Sequence, residues 1–363
     1  SGRLDSKEFK RGLYVIDKFS TKSKLYDFSN YLYLEAKDSI LRVTSPIVLG
    51  QAVSSGLASI EVPYTGEDFA QVAVSKDELK GMANTVTGEE DITIEVIEDN
   101  HPVVALGVND DVLLNLATVD SVVPPMFGNN LRMMRQEPMR EFPLEDIQLT
   151  VKELNKELKG QLITHNFQGV YITNMWSFVT NGLQMTGYIL PKTLDTDIFL
   201  PKHAVPIVNA IPKGDYQYSQ KVLGTDPTAS PYLYIKGEGI EMYFQEWLSK
   251  DLYPIRQMID MSEMEGAKIP VEDIAKVTTW ITPKTNLVKF DFEKGKAYSL
   301  DKKYQVDILK QDLPPMILSK EVLPSKTALT SFAEAEVLDN GLMKFNGAVL
   351  VRLCTPVEES EDV

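Results

Sequence analysis

The sequence predicts an α+β fold made from one unit, two helices packed on antiparallel strands, used three times along the chain. Three observations predict it. An apolar strand running into a helix start recurs at 71–86 (QVAVSKDELKGMANTV), 197–211 (DIFLPKHAVPIVNAI) and 315–332 (PMILSKEVLPSKTALTSF). Two apolar or alternating runs around a short polar turn follow each of these, at 92–108, 232–244 and 335–353. An amphipathic helix opens each unit.

The opening helices are placed by apolar residues at helical spacing. Phe9, Leu13 and Ile16 predict a helix over 6–19; Val151, Leu154 and Leu158 one over 143–159; Ile274, Val277 and Ile281 one over 270–284. Strand-like runs come next, at 31–45, 167–182 and 287–300. The second helices are expected over 75–86, 201–213 and 319–332. Ser75 and Ser319 suit a helix start because a serine oxygen accepts from the orphan amides of a first turn, and Pro201 because that turn needs no donor from it. Pro206 and Pro324 lie five residues past these starts, where an interior proline breaks a helix, so both helices are expected to begin late or to kink. Asp339-Asn340-Gly341 is the clearest hairpin turn. Periodicity lapses at Val123–Pro143 and Met261–Ile269, which divides the chain into expected domains at 1–135, 136–262 and a short 263–363 with an acidic tail.

At 363 residues, 43% of them hydrophobic, the chain is long enough for several cores. No run approaches the roughly 20 apolar residues of a membrane helix, and the start has no apolar signal region, so a soluble, cytoplasmic protein is expected. Cys354, the single cysteine, reads as a small buried hydrophobe in a strand. His101, His165 and His203 stand in no metal-ligand spacing, Gly295-Lys296 lacks the rest of a phosphate loop, and no GxSxG elbow occurs. Acidic groups such as Glu89-Glu90-Asp91 and Asn109-Asp110-Asp111 fall in turns, where carboxylates are solvated. The expectation is no catalytic residue, no metal and no cofactor, and a binding or scaffold role.

Several phrases carry a resemblance. Phe167-Gln168-Gly169-Val170-Tyr171, then Val179-Thr180-Asn181-Gly182-Leu183-Gln184-Met185, is similar to the Asn-Gly-containing strand and Thr-Asp-Gly-His-Arg-Leu segment of the bacterial and phage DNA polymerase sliding clamps, with Asn, Leu and Gln in place of Asp, His and Arg. SKDLYPIRQMI (249–259) is similar to that family's Ser-to-Phe-Pro-Asp-Tyr stretch, and 349–357, ending Thr355-Pro356-Val357, resembles its terminal strand. With the repeat order and length, the resemblance spans nearly the whole chain.

The resemblance implies a ring-forming fold in which two chains join head to tail around double-stranded DNA, with helices lining the hole. It implies a non-catalytic processivity factor that tethers a DNA polymerase and meets the clamp loader through short peptides. The bore would be lined by Lys10, Arg11, Lys76, Lys80, Lys152, Lys156, Lys202, Lys213, Lys276 and Lys320. The peptide pocket would be Phe167, Thr180, Gly182, Leu183, Met185, Pro254, Met258, Leu353, Thr355 and Pro356. Arg132, Arg135 and Arg140 either touch DNA or serve as linker charges. A net charge of -15 argues against nucleic acid on average, yet the six expected helical segments hold 15 Lys and Arg against 11 Asp and Glu, which permits a weakly positive bore in an acidic protein. The rival readings are a repeat-built structural or virion component without DNA binding and an enzyme with a converging, non-obvious site.

Overall fold

The computed structural model describes every residue except 1, 20–22, 25, 49–54, 99, 164–166, 168, 174–175, 190–196, 227–228, 247–254 and 359–363. The chain forms two compact units, one of 1–145 and 203–248, the other of 146–202 and 249–363.

The first unit holds a twelve-stranded sheet. Its order begins β1 (Gly2–Leu4), β6 (Ile92–Ile97), β7 (Val103–Val108), β8 (Val112–Val119), β5 (Phe69–Ser75), β2 (Tyr31–Lys37), β3 (Ile40–Val48) and β4 (Ser55–Thr65). It continues β16 (Ile240–Gln245), β15 (Tyr232–Gly237), β14 (Tyr216–Lys221) and β9 (Arg140–Phe142). Because β1 also pairs with β4, the first eight strands close on themselves.

Helix α1 (Ser6–Phe19) buries Phe9, Leu13 and Ile16 as their spacing requires, and Asp5 Oδ1 accepts from the Glu8 amide (2.9 Å) at its start. It packs on β4, α2 (Lys76–Thr85) and α5 (Val205–Ala210). Ser75 caps α2 as expected, accepting from the Glu78 amide at 3.4 Å. Pro206 sits in the first turn of α5, so that helix does begin late, and it covers only six residues.

The stretch 123–143, expected as a boundary without periodicity, instead carries α3 (Pro125–Arg135) and β9. Phe127 and Met134 of α3 pack with Leu57, Tyr234 and Tyr243. Leu57 alternates along β4 with Ile60, whose side chain meets Gly12 of α1, so α1 and α3 cover opposite faces of the sheet. Arg135 pairs with Glu241 on the α3 side, and the Tyr243 hydroxyl donates to the Phe127 carbonyl (2.9 Å).

In the second unit, an eight-stranded sheet runs β13 (Ile198–Pro201), β10 (Gly169–Ile172), β11 (Trp176–Thr180), β12 (Gln184–Ile189), β24 (Leu350–Cys354), β23 (Met343–Asn346), β22 (Glu334–Val337), β17 (Ala267–Ile269). A four-stranded sheet runs β20 (Gln305–Asp307), β19 (Lys296–Ser299), β18 (Leu287–Asp291), β21 (Met316–Ser319). All but the first two residues of α4 (Leu144–Glu157) belong here, with α6 (Ile255–Glu263) and α7 (Val271–Trp280). One core joins Ile274, Val277 and Ile281 below α7 to Phe290 and Leu318 of the small sheet and to Phe345 and Cys354 of the large one. Cys354 is fully buried in β24, as expected.

Two expectations are corrected in this unit. The segment 335–353 makes three strands rather than a hairpin; β22 and β23 turn at 339–341, with Gly341 at φ 86, and β24 follows. The segment 319–332 forms no α-helix but turns ending in one 3₁₀ turn, Ala328–Ser331. In a helix begun at Ser319, Pro324 would remove a hydrogen bond and press its ring on the carbonyl four residues back. Among the described residues no helix is long and apolar enough to cross a membrane, and no three His, Cys, Asp or Glu side chains cluster as metal ligands.

Candidate functional site

Strands β12 and β24 place Met185 opposite Leu353, Gln184 opposite Cys354 and Thr186 opposite Arg352. Alternation then sorts their side chains onto two faces. Met185 and Leu353 share one face with Thr180 of β11, itself opposite Met185. Five of the expected pocket residues, Phe167, Thr180, Met185, Met258 and Leu353, are buried.

The tight turn from β11 to β12 builds the rim. Asn181 Oδ1 accepts from the amides of Leu183 (3.0 Å) and Gln184 (2.9 Å), and Thr180 Oγ1 accepts from the Gly182 amide (3.1 Å) while donating to the Gln184 carbonyl (2.9 Å). Gly182 stands at φ 87, a conformation costly for other residues. The turn lifts Leu183 into solvent at 54% exposure. The Leu183 carbonyl accepts from the Thr355 amide (2.9 Å), which fixes the C-terminal segment beside the turn.

Helix α6 lies over this same face. Lys344 is the cross-strand neighbour of Leu353, and its ammonium donates to the Met264 carbonyl just past α6 (2.7 Å). Glu336 lies 3.9 Å from that ammonium and accepts from Asn346 (2.8 Å); both charged side chains are buried. Met258 of α6 is buried as well. Pro254 lies outside the described residues. Beside Pro356 a cavity of about 520 Å³ opens, lined by Met316, Ile317, Leu338 and Val357, with Lys289, Asp312 and Asp339 also on its wall. Sequence reasoning missed it because its walls come from β21, β22 and the C-terminal segment, brought together when Val357 bridges to Ile317.

The other face is buried, and beside the core residue Cys354 it carries a polar chain. Thr186 Oγ1 donates to Gln184 Oε1 (2.7 Å) and accepts from Arg352 Nε (3.1 Å), and Arg352 also donates to the carbonyl of Glu157 (3.3 Å), the last residue of α4. Glu157 Oε1 accepts from Ser331 (2.8 Å). Burial lowers the Arg352 pKa, and it pushes the Cys354 thiol up to about 12.

The expected DNA-facing cations divide. Arg11, Lys80, Lys152, Lys156, Lys213, Lys276 and Lys320 are exposed, and Lys10 and Lys202 half-buried. Lys76, expected to face DNA, is instead buried at the first position of α2, 3% exposed. Lys80 pairs with Asp17 (3.2 Å) and Lys276 with Asp273 (3.6 Å), whereas Lys152 and Lys156 make no ion pair among the described residues. Lys202, Lys213 and Lys320 lie outside the helices. Over the observed bounds α1 holds four cations and two anions, α4 two and four, and α5 none. The positive balance is therefore a property of α1 and of helix flanks. Of the linker arginines, Arg135 is committed to Glu241, while Arg132 and Arg140 are exposed.

No family model matches the sequence, and no curated protein matches it. Solved structures do. The DNA polymerase III β subunit from Pseudomonas aeruginosa superposes with a TM-score of 0.66 at 10% identity, over 99% of this chain and 100% of that one. The fold is that of a bacterial sliding clamp. The clamp of Caulobacter crescentus matches with a TM-score of 0.66 at 10% identity over 99% of each chain. The Helicobacter pylori β clamp bound to a DNA ligase peptide matches with a TM-score of 0.60 at 14% identity, over 99% of this chain and 100% of that one. The clamp fold and its α+β class agree with what the sequence predicts.

Proposed function

We propose that this chain is a DNA sliding clamp, a non-catalytic cytoplasmic processivity factor that closes as a head-to-tail homodimer around double-stranded DNA and tethers a polymerase. The observation that carries this reading is the joint one of a clamp fold along 99% of the chain and the cross-strand apolar pair Met185 and Leu353, beside the exposed Leu183 and Thr355, where the resemblance implies a peptide pocket. The Helicobacter pylori clamp carries a ligase peptide, which supports a peptide-holding role here. The reading keeps three repeated units at 1–135, 136–262 and 263–363. It takes the exposed cations, without buried Lys76, as the bore, and extends the peptide site past Pro356 into the adjoining cavity.

A clamp holds DNA by topology, so few phosphate contacts are needed and sliding stays cheap. The test loads the protein on nicked circular DNA with a compatible loader and then linearises the circle. Retention on circles that survives high salt and is lost from linear ends is the expected result; equal retention on both sinks the proposal. Sedimentation is expected to give a dimer, and a monomer at working concentration counts against the ring.

A further inference from the structure

Helix α1 presents an exposed stripe that neither the fold nor the peptide site uses. Lys7, Arg11, Tyr14 and Lys18 follow one another at helical spacing and all are exposed, with Lys10 half-buried beside them. Tyr14 is 65% exposed, and the ammonium of Lys18 stands 5.3 Å from its ring centroid. A large aromatic ring in water amid cations contributes nothing to the core of α1, which is supplied by Phe9, Leu13, Ile16 and Phe19. Both acidic residues of the helix are already engaged, Glu8 with Arg11 (3.8 Å) and Asp17 with Lys80 (3.2 Å). Lys7, Lys10 and Lys18 make no ion pair among the described residues. The charge is thus left over on the stripe, in a chain of net charge -15.

We infer that Tyr14, flanked by Lys7, Arg11 and Lys18, is a stacking platform for an unpaired base of single-stranded DNA, the cations holding the adjoining phosphates. The charge is complementary to a polyanion. The ring supplies what a duplex does not need, since paired bases are already stacked, whereas single strands gain from aromatic faces regardless of sequence. This rests on the reading that the chain works on DNA, and it adds to the bore a residue that distinguishes a single strand from a duplex.

The test compares binding of a labelled thymidine oligonucleotide of about 20 nucleotides with a duplex of the same length, by fluorescence anisotropy on the full chain. Tyr14→Ala is expected to weaken the single strand about tenfold, the loss of one stacked base, and the duplex less than about twofold. Tyr14→Phe keeps the ring and is expected to bind like the parent. Lys7→Ala with Lys18→Ala is expected to flatten the salt dependence for both oligonucleotides. Unchanged single-strand binding by Tyr14→Ala, or an equal loss on the duplex, overturns the inference. So does a Tyr14→Ala protein that binds both oligonucleotides normally but sediments differently, which assigns the ring to a protein contact. Short linear oligonucleotides carry no topological link, so this outcome is independent of retention on circles: failure there removes the clamp and leaves the platform, and the reverse holds equally.

Discussion

The two faces of the β12–β24 pair use opposite chemistry within the same backbone ladder. One face is a chain of directional hydrogen bonds, Gln184 to Thr186 to Arg352 to the end of α4, sealed from water. The other is apolar and adaptable, Met185 and Leu353 under α6, with Leu183 and Thr355 at an exposed rim. The difference teaches a division of labour. A one-residue slip would exchange the faces, and the buried arginine makes that slip costly, because its donors have acceptors in only one register. Met185 and Leu353 ask no such geometry of their neighbours, and on their face the directional bonds are confined to the buried Lys344–Glu336 pair in the adjoining strands.

The largest break of this comparison is Arg352→Met. It strips the buried polar face of its cation and leaves the Glu157 carboxylate facing less compensation, so denaturant titration is expected to read a loss of about 3 kcal/mol. The double variant with Glu157→Gln should recover part of it. Leu353→Ala, on the apolar face, is expected to cost about 2.5 kcal/mol by the cavity it leaves. Equal recovery of both variants by a bound partner peptide would contradict the assignment of function to one face alone. Smaller still in stability is Leu183→Asp at the exposed rim, expected within about 0.5 kcal/mol of the parent. Its effect belongs in binding, and calorimetry with a clamp-binding peptide should show affinity reduced at least about tenfold by a desolvated carboxylate.

The pH dependence sharpens the polar face. The Cys354 thiol is raised from 9.0 to about 12 by burial, so its contribution is fully present below pH 9 and is lost as the pH rises through 12. Buried hydroxyls add to the same fall, Tyr216 being raised from 10.0 to about 12. Stability measured between pH 9 and 12 should therefore decline, with a shallower start in Cys354→Ala. At the acid end Glu90 acts oppositely. Its carboxylate accepts from Thr87 and Gly88 and is held at about 2, so the turn it closes is expected to loosen only as the pH falls from 4.5 toward 2.

Much of the fold was legible because it is local. The spacing of Phe9, Leu13 and Ile16 defines α1, Ser75 caps α2, and Asn340-Gly341 turns β22 into β23. Helix α3 carries local signals too: Pro125 at its start, Phe127 and Met134 seven apart, and arginines in its last turn are ordinary helix marks. The expected pocket residues Thr180, Met185 and Leu353 rest on the resemblance rather than on local physics, and their shared face required the β12–β24 register.

By itself the sequence determined the opening helices α1, α4 and α7, the cap of α2 and the buried fate of Cys354, since each rests on residues close in the chain. Only the tertiary structure decided that Pro324 leaves turns where a third copy of the helix was expected, that Lys76 is buried, and that α3 closes one face of a sheet. It alone joined β12 to β24 across some 160 residues. Such pairings are set by long-range packing and by which polar groups can be satisfied together, and neither quantity is written in local spacing.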